Sequence, residues 1–113
     1  MRNSEQELIE DLEKVGYKVD SVYDLVSTSK SYPEAIPVLI KHLQYEYEDK
    51  IKEGIIRSLA VKEAEGKTAE VLQKELEKAE GKKFLIWAIK NTMKATLTRK
   101  EKKDLNFNWN YEL

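Results

Sequence analysis

The middle of the sequence lies on itself without a gap when Val38 is placed on Val71. In that register Leu39 falls on Leu72, Lys41 on Lys74 and Leu43 on Leu76. Farther on, Ile51 falls on Phe84, Ile55 on Ala88, Ile56 on Ile89 and Ala60 on Met93. A fixed period of this size marks stacked supersecondary units, none of which can bury its apolar face alone. Two helix pairs therefore repeat, over roughly 33–62 and 67–95. Applying the same shift once more places Val22 on Ile55, Tyr23 on Ile56 and Val26 on Leu59. The first helix fits the shift poorly, which is how a terminal capping unit behaves.

Within the units the apolar spacing is helical. Ser4 with Glu7 reads as a capping box before the face Leu8, Ile9, Leu12 and Val15, and Gly16 ends that helix. Asp20 is placed to cap a short helix bearing Val22, Tyr23, Leu25 and Val26. Ser31 with Glu34 makes a second box, with Pro33 in the first turn; Pro37, one turn in, should loosen the helix start. Asp49 and Thr68 read as the next caps, Gly66 and Gly81 as breaks, and Thr98 with Glu101 as a third box. The fold class expected is all-α: a right-handed alpha-alpha superhelix of about three helical hairpins in one domain. Its parts are an N-terminal capping pair (1–30), two repeats (31–65 and 66–97), and a C-terminal cap and tail (98–113). The tail changes period, with Phe107, Trp109 and Tyr111 alternating with asparagines. Such an extended segment either caps the last hairpin or pairs with its copy in a second chain, so monomer and weak homodimer both stay open.

Charged residues make up 36% of the chain and apolar ones 41%, and the apolar ones are clustered, which favours a charge-coated helical protein over disorder. The absence of cysteine excludes disulfides, thiolate metal sites and a cysteine nucleophile. No apolar run approaches the roughly 20 residues needed to span a bilayer. The polar, acidic start does not read as a secretory signal, so a cytoplasmic location is expected. Net charge is −1, but residues 1–49 hold 5 Lys/Arg against 11 Asp/Glu, while residues 50–113 hold 15 against 10. From Lys82 to Lys103 there are eight basic residues and one acid, Glu101. Two readings fit this asymmetry: a surface for an acidic partner or nucleic acid, and compensation of opposite charges within one small fold.

Few residues suggest chemistry. His42, the only histidine, sits on a helix flank with no carboxylates at ligand spacing, and reads as a surface or boundary residue. Glu46, Glu48 and Asp49 cluster at a helix junction and Glu10, Asp11 and Glu13 on the first helix; both sets read as solvated charge. Phosphate loops and nucleophile elbows are missing, and no cofactor is expected. The second helices are more informative, because in stacked hairpins they commonly line the binding surface. The register places Arg57 on Lys90 and Ser58 on Asn91. Arg57 and Lys90 would form a short positive ladder, and Ser58 and Asn91 a hydrogen-bonding one, with Lys94 one turn beyond. The alternative is that Ser58 and Asn91 only brace neighbouring helix ends.

The segments "YPEAIPVLIKHL", "IKEGIIRSLAVKEAEG" and "FLIWAIKNTM" resemble small bacterial HEAT-like repeat proteins of the armadillo/HEAT type over about residues 31–95. The sequence departs from that pattern at Lys90, where glycine is usual, and at Thr92 and Met93. It also has fewer units than a long array, which favours a compact three-unit bundle. The resemblance implies a non-enzymatic protein–protein interaction module or scaffold, with Arg57 and Asn91 as motif residues. A nucleic-acid-binding module using the Lys82–Lys103 run is the alternative; an enzyme is not expected.

Overall fold

The computed structural model describes residues 1–106; the aromatic tail with Phe107, Trp109 and Tyr111, and the dimer contact considered for it, lie outside the described residues. Among the described residues seven α-helices follow in order: α1 (Gln6–Lys14), α2 (Tyr23–Ser27), α3 (Ile36–Leu43), α4 (Asp49–Ser58), α5 (Ala69–Lys78), α6 (Lys83–Thr96) and α7 (Arg99–Asp104). One-turn 3-10 segments precede α3 (Pro33–Ala35) and α5 (Lys62–Ala64). Among the described residues the only extended pairing is a bridge from Arg2 to Tyr47, which lays the N-terminal segment along residues 46–48. The all-α expectation holds. Within the same residues no helix is long and apolar enough to cross a membrane.

The helices pack side by side around one core. α4 packs against α2, α3 and α6, α5 against α6, and α1 against α3. Each contributes one apolar stripe to a single core: Leu8 and Leu12 from α1, Ile36, Leu39 and Leu43 from α3, Ile55 and Ile56 from α4, Leu72 from α5, and Leu85, Ile89 and Met93 from α6. Fully burying one such side chain is worth about 1.5–3 kcal/mol, so this stripe-on-stripe contact dominates the fold's stability. Gly54 is where α4 comes closest to α2: a Cβ built there would lie 2.7 Å from Val22 Cγ1 and 2.8 Å from Tyr23 Cε2. Gly16, Gly66 and Gly81 end their segments at positive φ, as the breaks in the pattern suggest.

The caps differ more. Of the three boxes expected, only Thr98–Glu101 forms, with Glu101 N–H donating to Thr98 Oγ1 at 3.1 Å and Thr98 N–H donating to Glu101 Oε1 at 2.9 Å. The Ser4 box does not form: Glu7 pairs with Arg2, α1 starts at Gln6, and Ser4 Oγ accepts only from Gln6 N–H. Asp20 is not a cap; instead its own N–H donates to Asp24 Oδ2, and Glu5, just before α1, accepts the Val22 N–H at 2.7 Å. The Ser31 box is replaced by Glu63, 31 residues beyond Tyr32, whose Oε2 accepts the Tyr32 N–H. The Ser31 hydroxyl bonds the same carboxylate and holds it below the usual range. Asp49 opens α4 without capping it and pairs with Lys82, while Thr68 turns its hydroxyl to Thr96. At Ser4 the competitor, Arg2, is local; in the other cases a tertiary partner competes successfully with the local cap.

Candidate functional site

α6 opens on the most apolar run of the chain, Phe84 to Ile89, yet only one side of the helix is in the core. Leu85, Ala88, Ile89, Thr92, Met93 and Thr96 are buried, and Thr92 Oγ1 donates to the Ile56 carbonyl of α4 at 3.1 Å. The opposite side carries Phe84, Trp87, Asn91 and Lys94 at i, i+3, i+7 and i+10, which is one helical face. Phe84, at 48%, Asn91 and Lys94 are exposed, and so is nearly half of Trp87, at 49%. Lys90 is half-buried at the edge of that face, and Arg57 is exposed in the last turn of α4.

Of the five residues singled out from the sequence, Arg57, Asn91 and Lys94 are exposed, Lys90 is partly so, and Ser58 is not. Ser58 is fully buried; its hydroxyl donates to the Ile55 carbonyl at 2.7 Å, and its own carbonyl accepts the Tyr32 hydroxyl at 2.8 Å. The hydrogen-bonding ladder of Ser58 and Asn91 is thus not formed: one residue closes a helix in the core and the other faces outward. The physical reason is packing phase. The buried face of α4 includes Ile51, Gly54 and Ser58, and Gly54 meets α2. The in-register positions of the next hairpin are Phe84, Trp87 and Asn91, the outer face of α6.

His42 is the larger correction. It is completely buried rather than a surface residue, with Nε2 2.7 Å from Asp11 Oδ2 and Nδ1 2.7 Å from the Tyr47 hydroxyl. The hydrogen bond from His42 holds the Asp11 carboxyl below its ordinary range, so Asp11 accepts only. Nε2 therefore donates to Asp11, and Nδ1 shares a hydrogen bond with the Tyr47 hydroxyl. Burial pushes the Tyr47 phenol up, which keeps its proton in place. Arg2 closes the arrangement from outside, its guanidinium 4.3 Å from the Tyr45 ring centroid and 5.8 Å from that of Tyr47. With no exposed ring atom, His42 meets no solvent-borne molecule. The network ties α1, α3 and the N-terminal segment together.

A second buried polar contact lies between α4 and α5. Lys52 Nζ donates to Glu75 Oε1 at 2.8 Å, and Lys78 Nζ stands 3.4 Å from Glu75 Oε2. Glu75 is the in-register counterpart of His42, so the same first-helix position carries a buried, charge-linked group in both hairpins. Sequence reading missed both contacts because their partners lie 31 and 23 residues away. The available signal was placement: His42 sits beside Leu39 and Leu43, and Glu75 beside Val71 and Leu72, within apolar stripes. The described residues contain no group of three or more side chains arranged to hold a metal ion.

No family model matches the chain, and neither does any curated protein or solved structure.

Proposed function

We propose that this chain is a non-enzymatic interaction module, a small cytoplasmic adaptor built of HEAT-like hairpins, whose partner is another protein docked on the outer face of α6. The observation that carries this is the half-exposure of Phe84 and Trp87 on one face. A Trp and a Phe side by side on the surface are costly to hydrate, and Trp is enriched among residues that dominate binding energy. The register adds a second support. The position of the preceding helix pair that aligns with Trp87 is Gly54, which is buried against α2, and this supports reading the α6 face as one on which a helix docks. Lys90, Asn91 and Lys94 of the same helix provide polar groups beside it, and Arg57 is a further exposed cation in the last turn of α4. The repeat architecture itself is supported by the contacts of α4 with both α2 and α6 and by the shared buried positions Leu39/Leu72 and Ile56/Ile89.

The test is affinity capture from the source cell with wild type, Trp87→Ala and Lys74→Ala, the last lying on α5 away from the face. The expected outcome is a partner protein held by wild type and Lys74→Ala and lost from Trp87→Ala. Capture of the same set by all three overturns the reading. The nucleic-acid alternative rests on the Lys82–Lys103 run and predicts duplex binding that falls steeply as salt rises. No binding to a duplex at low salt ends it.

A further inference from the structure

The outer face of α6 is one-sided in charge as well as aromatic. The helix holds three lysines, Lys83, Lys90 and Lys94, and no acid. At about 100° per residue these three fall within about 40° of one another, so they form a single row along the helix. Lys83 and Lys94 are exposed and Lys90 is half-buried. Trp87 follows next around the helix, and then Asn91 and Phe84. The face therefore has an apolar half made by two half-exposed rings and a cationic half beside it.

Covering the rings without stranding the lysines requires an occupant that brings apolar groups and carboxylates together. A second copy of this chain does not do so through the same face, because an isologous contact sets one lysine row against the other. The molecule holds one example of what fits the aligned position. Trp87 aligns in sequence with Gly54, and the space over Gly54 is taken by Val22 and Tyr23 at the start of α2. The stretch 19–29 that carries α2 has two acids, Asp20 and Asp24, and no Lys, Arg or His. An apolar, acid-bearing helix thus covers the aligned position of α4. The α6 face differs in one respect. Where Gly54 lets α2 come close, an indole projects, so a helix docked there must leave a gap between its own side chains for Trp87. Single-stranded nucleic acid also matches lysines beside aromatic rings. The seating of α2 on α4 is what favours a helix.

We propose that the partner docked on α6 is an acidic amphipathic helix, its apolar stripe over Phe84 and Trp87 and its carboxylates along the row of Lys83, Lys90 and Lys94; this rests on the docking role given to the face and adds the chemistry of its occupant. The indole anchors the contact, and the lysine row selects among amphipathic helices by charge and speeds their encounter. Raised salt weakens the complex, because the row lies at the surface.

A displayed library of helical peptides of about 18 residues, leucine at the i, i+3, i+4 and i+7 positions and Glu, Gln or Lys free at the polar ones, is selected on the full chain and on Trp87→Ala. The expected result is at least tenfold enrichment of Glu over Lys on wild type and none on Trp87→Ala. In fluorescence anisotropy, a selected acidic peptide should bind Lys83→Glu/Lys94→Glu at least tenfold more weakly, and its Lys-for-Glu counterpart should bind that variant better than wild type. No enrichment, enrichment of Gln or Lys, or the same enrichment on Trp87→Ala overturns the proposal. So does an oligothymidylate strand that binds more tightly than the selected peptide, or a wild-type dimer that Trp87→Ala abolishes. Unchanged affinity in the charge-reversed variant also overturns it; should that variant lose its fold, the library comparison decides alone. Neutral helices held by wild type and lost from Trp87→Ala would remove the acidic preference and leave the docking role standing, whereas affinity capture unchanged by Trp87→Ala removes the docking role itself.

Discussion

The α3–α4 and α5–α6 helix pairs can be laid on each other in sequence without a gap, and they are buried differently. Leu39 and Leu72, Ile55 and Ala88, and Ile56 and Ile89 are buried in both. His42 and Glu75 are buried polar groups in both, each reaching back to the preceding part of the chain, to Asp11 and Lys52 respectively. The outer face divides them. Ile51, Gly54 and Ser58 are buried in α4, whereas Phe84, Trp87 and Asn91 reach solvent in α6. The stripe that meets a helix's own hairpin partner recurs because the hairpin recurs. The stripe on the other side depends on which neighbour exists. α4 has α2 against Gly54; at the in-register positions of α6 an aromatic pair stands half-exposed.

The comparison can be broken most forcefully at the polar contacts. Lys52→Met leaves Glu75 buried with only Lys78 nearby and should cost about 3 kcal/mol in urea unfolding, the low end expected for a stranded buried charge. Adding Glu75→Leu should recover most of it; a double variant as unstable as the single would mean the pair is required for folding. The next effect sharpens the outer-face contrast. Ile51→Ala should cost about 2 kcal/mol as a core truncation, whereas Phe84→Ala, at the in-register position, should stay within about 0.5 kcal/mol. Equal costs would show that the two faces are equally packed. Thr98→Ala removes a formed capping box and should cost about 1 kcal/mol, while Ser4→Ala, whose box does not form, should cost clearly less.

The gentlest effects are on pH. The Asp11 carboxyl is held down by His42, so its contribution is present above the ordinary carboxylate pKa of about 3.9 and is lost as pH falls through the lowered value. Asp11→Asn should flatten the acid limb of stability against pH. Burial pushes the Tyr32 phenol up to about 12. Its contribution is complete below the unfolded value of about 10 and is lost as pH climbs from there toward 12. Tyr32→Phe should remove that alkaline loss, at the cost of leaving the Ser58 carbonyl without its donor.

Much of this was legible residue by residue. The stripes at Leu8/Leu12, Leu39/Leu43 and Ile55/Ile56 are read directly from helical spacing, and the positive-φ glycines 16, 66 and 81 mark real breaks. The caps were legible only where no other charged group, near or distant, competed. Thr98 and Glu101 found each other, whereas Ser4, Asp20 and Ser31 were passed over for Arg2–Glu7, Glu5 and Glu63. Of the candidate site, Arg57, Asn91 and Lys94 were placed correctly on the outside and Ser58 was not.

The sequence by itself determined the all-helical class and the approximate limits of the long helices, because both follow from local spacing and backbone preference. Only the tertiary structure decided that His42 is a core residue bound to Asp11 and Tyr47, that Lys52 enters the interior to meet Glu75, and that Phe84 and Trp87 face outward. Those outcomes depend on which segments meet across long stretches of chain, and burial, unlike periodicity, is a property of neighbours.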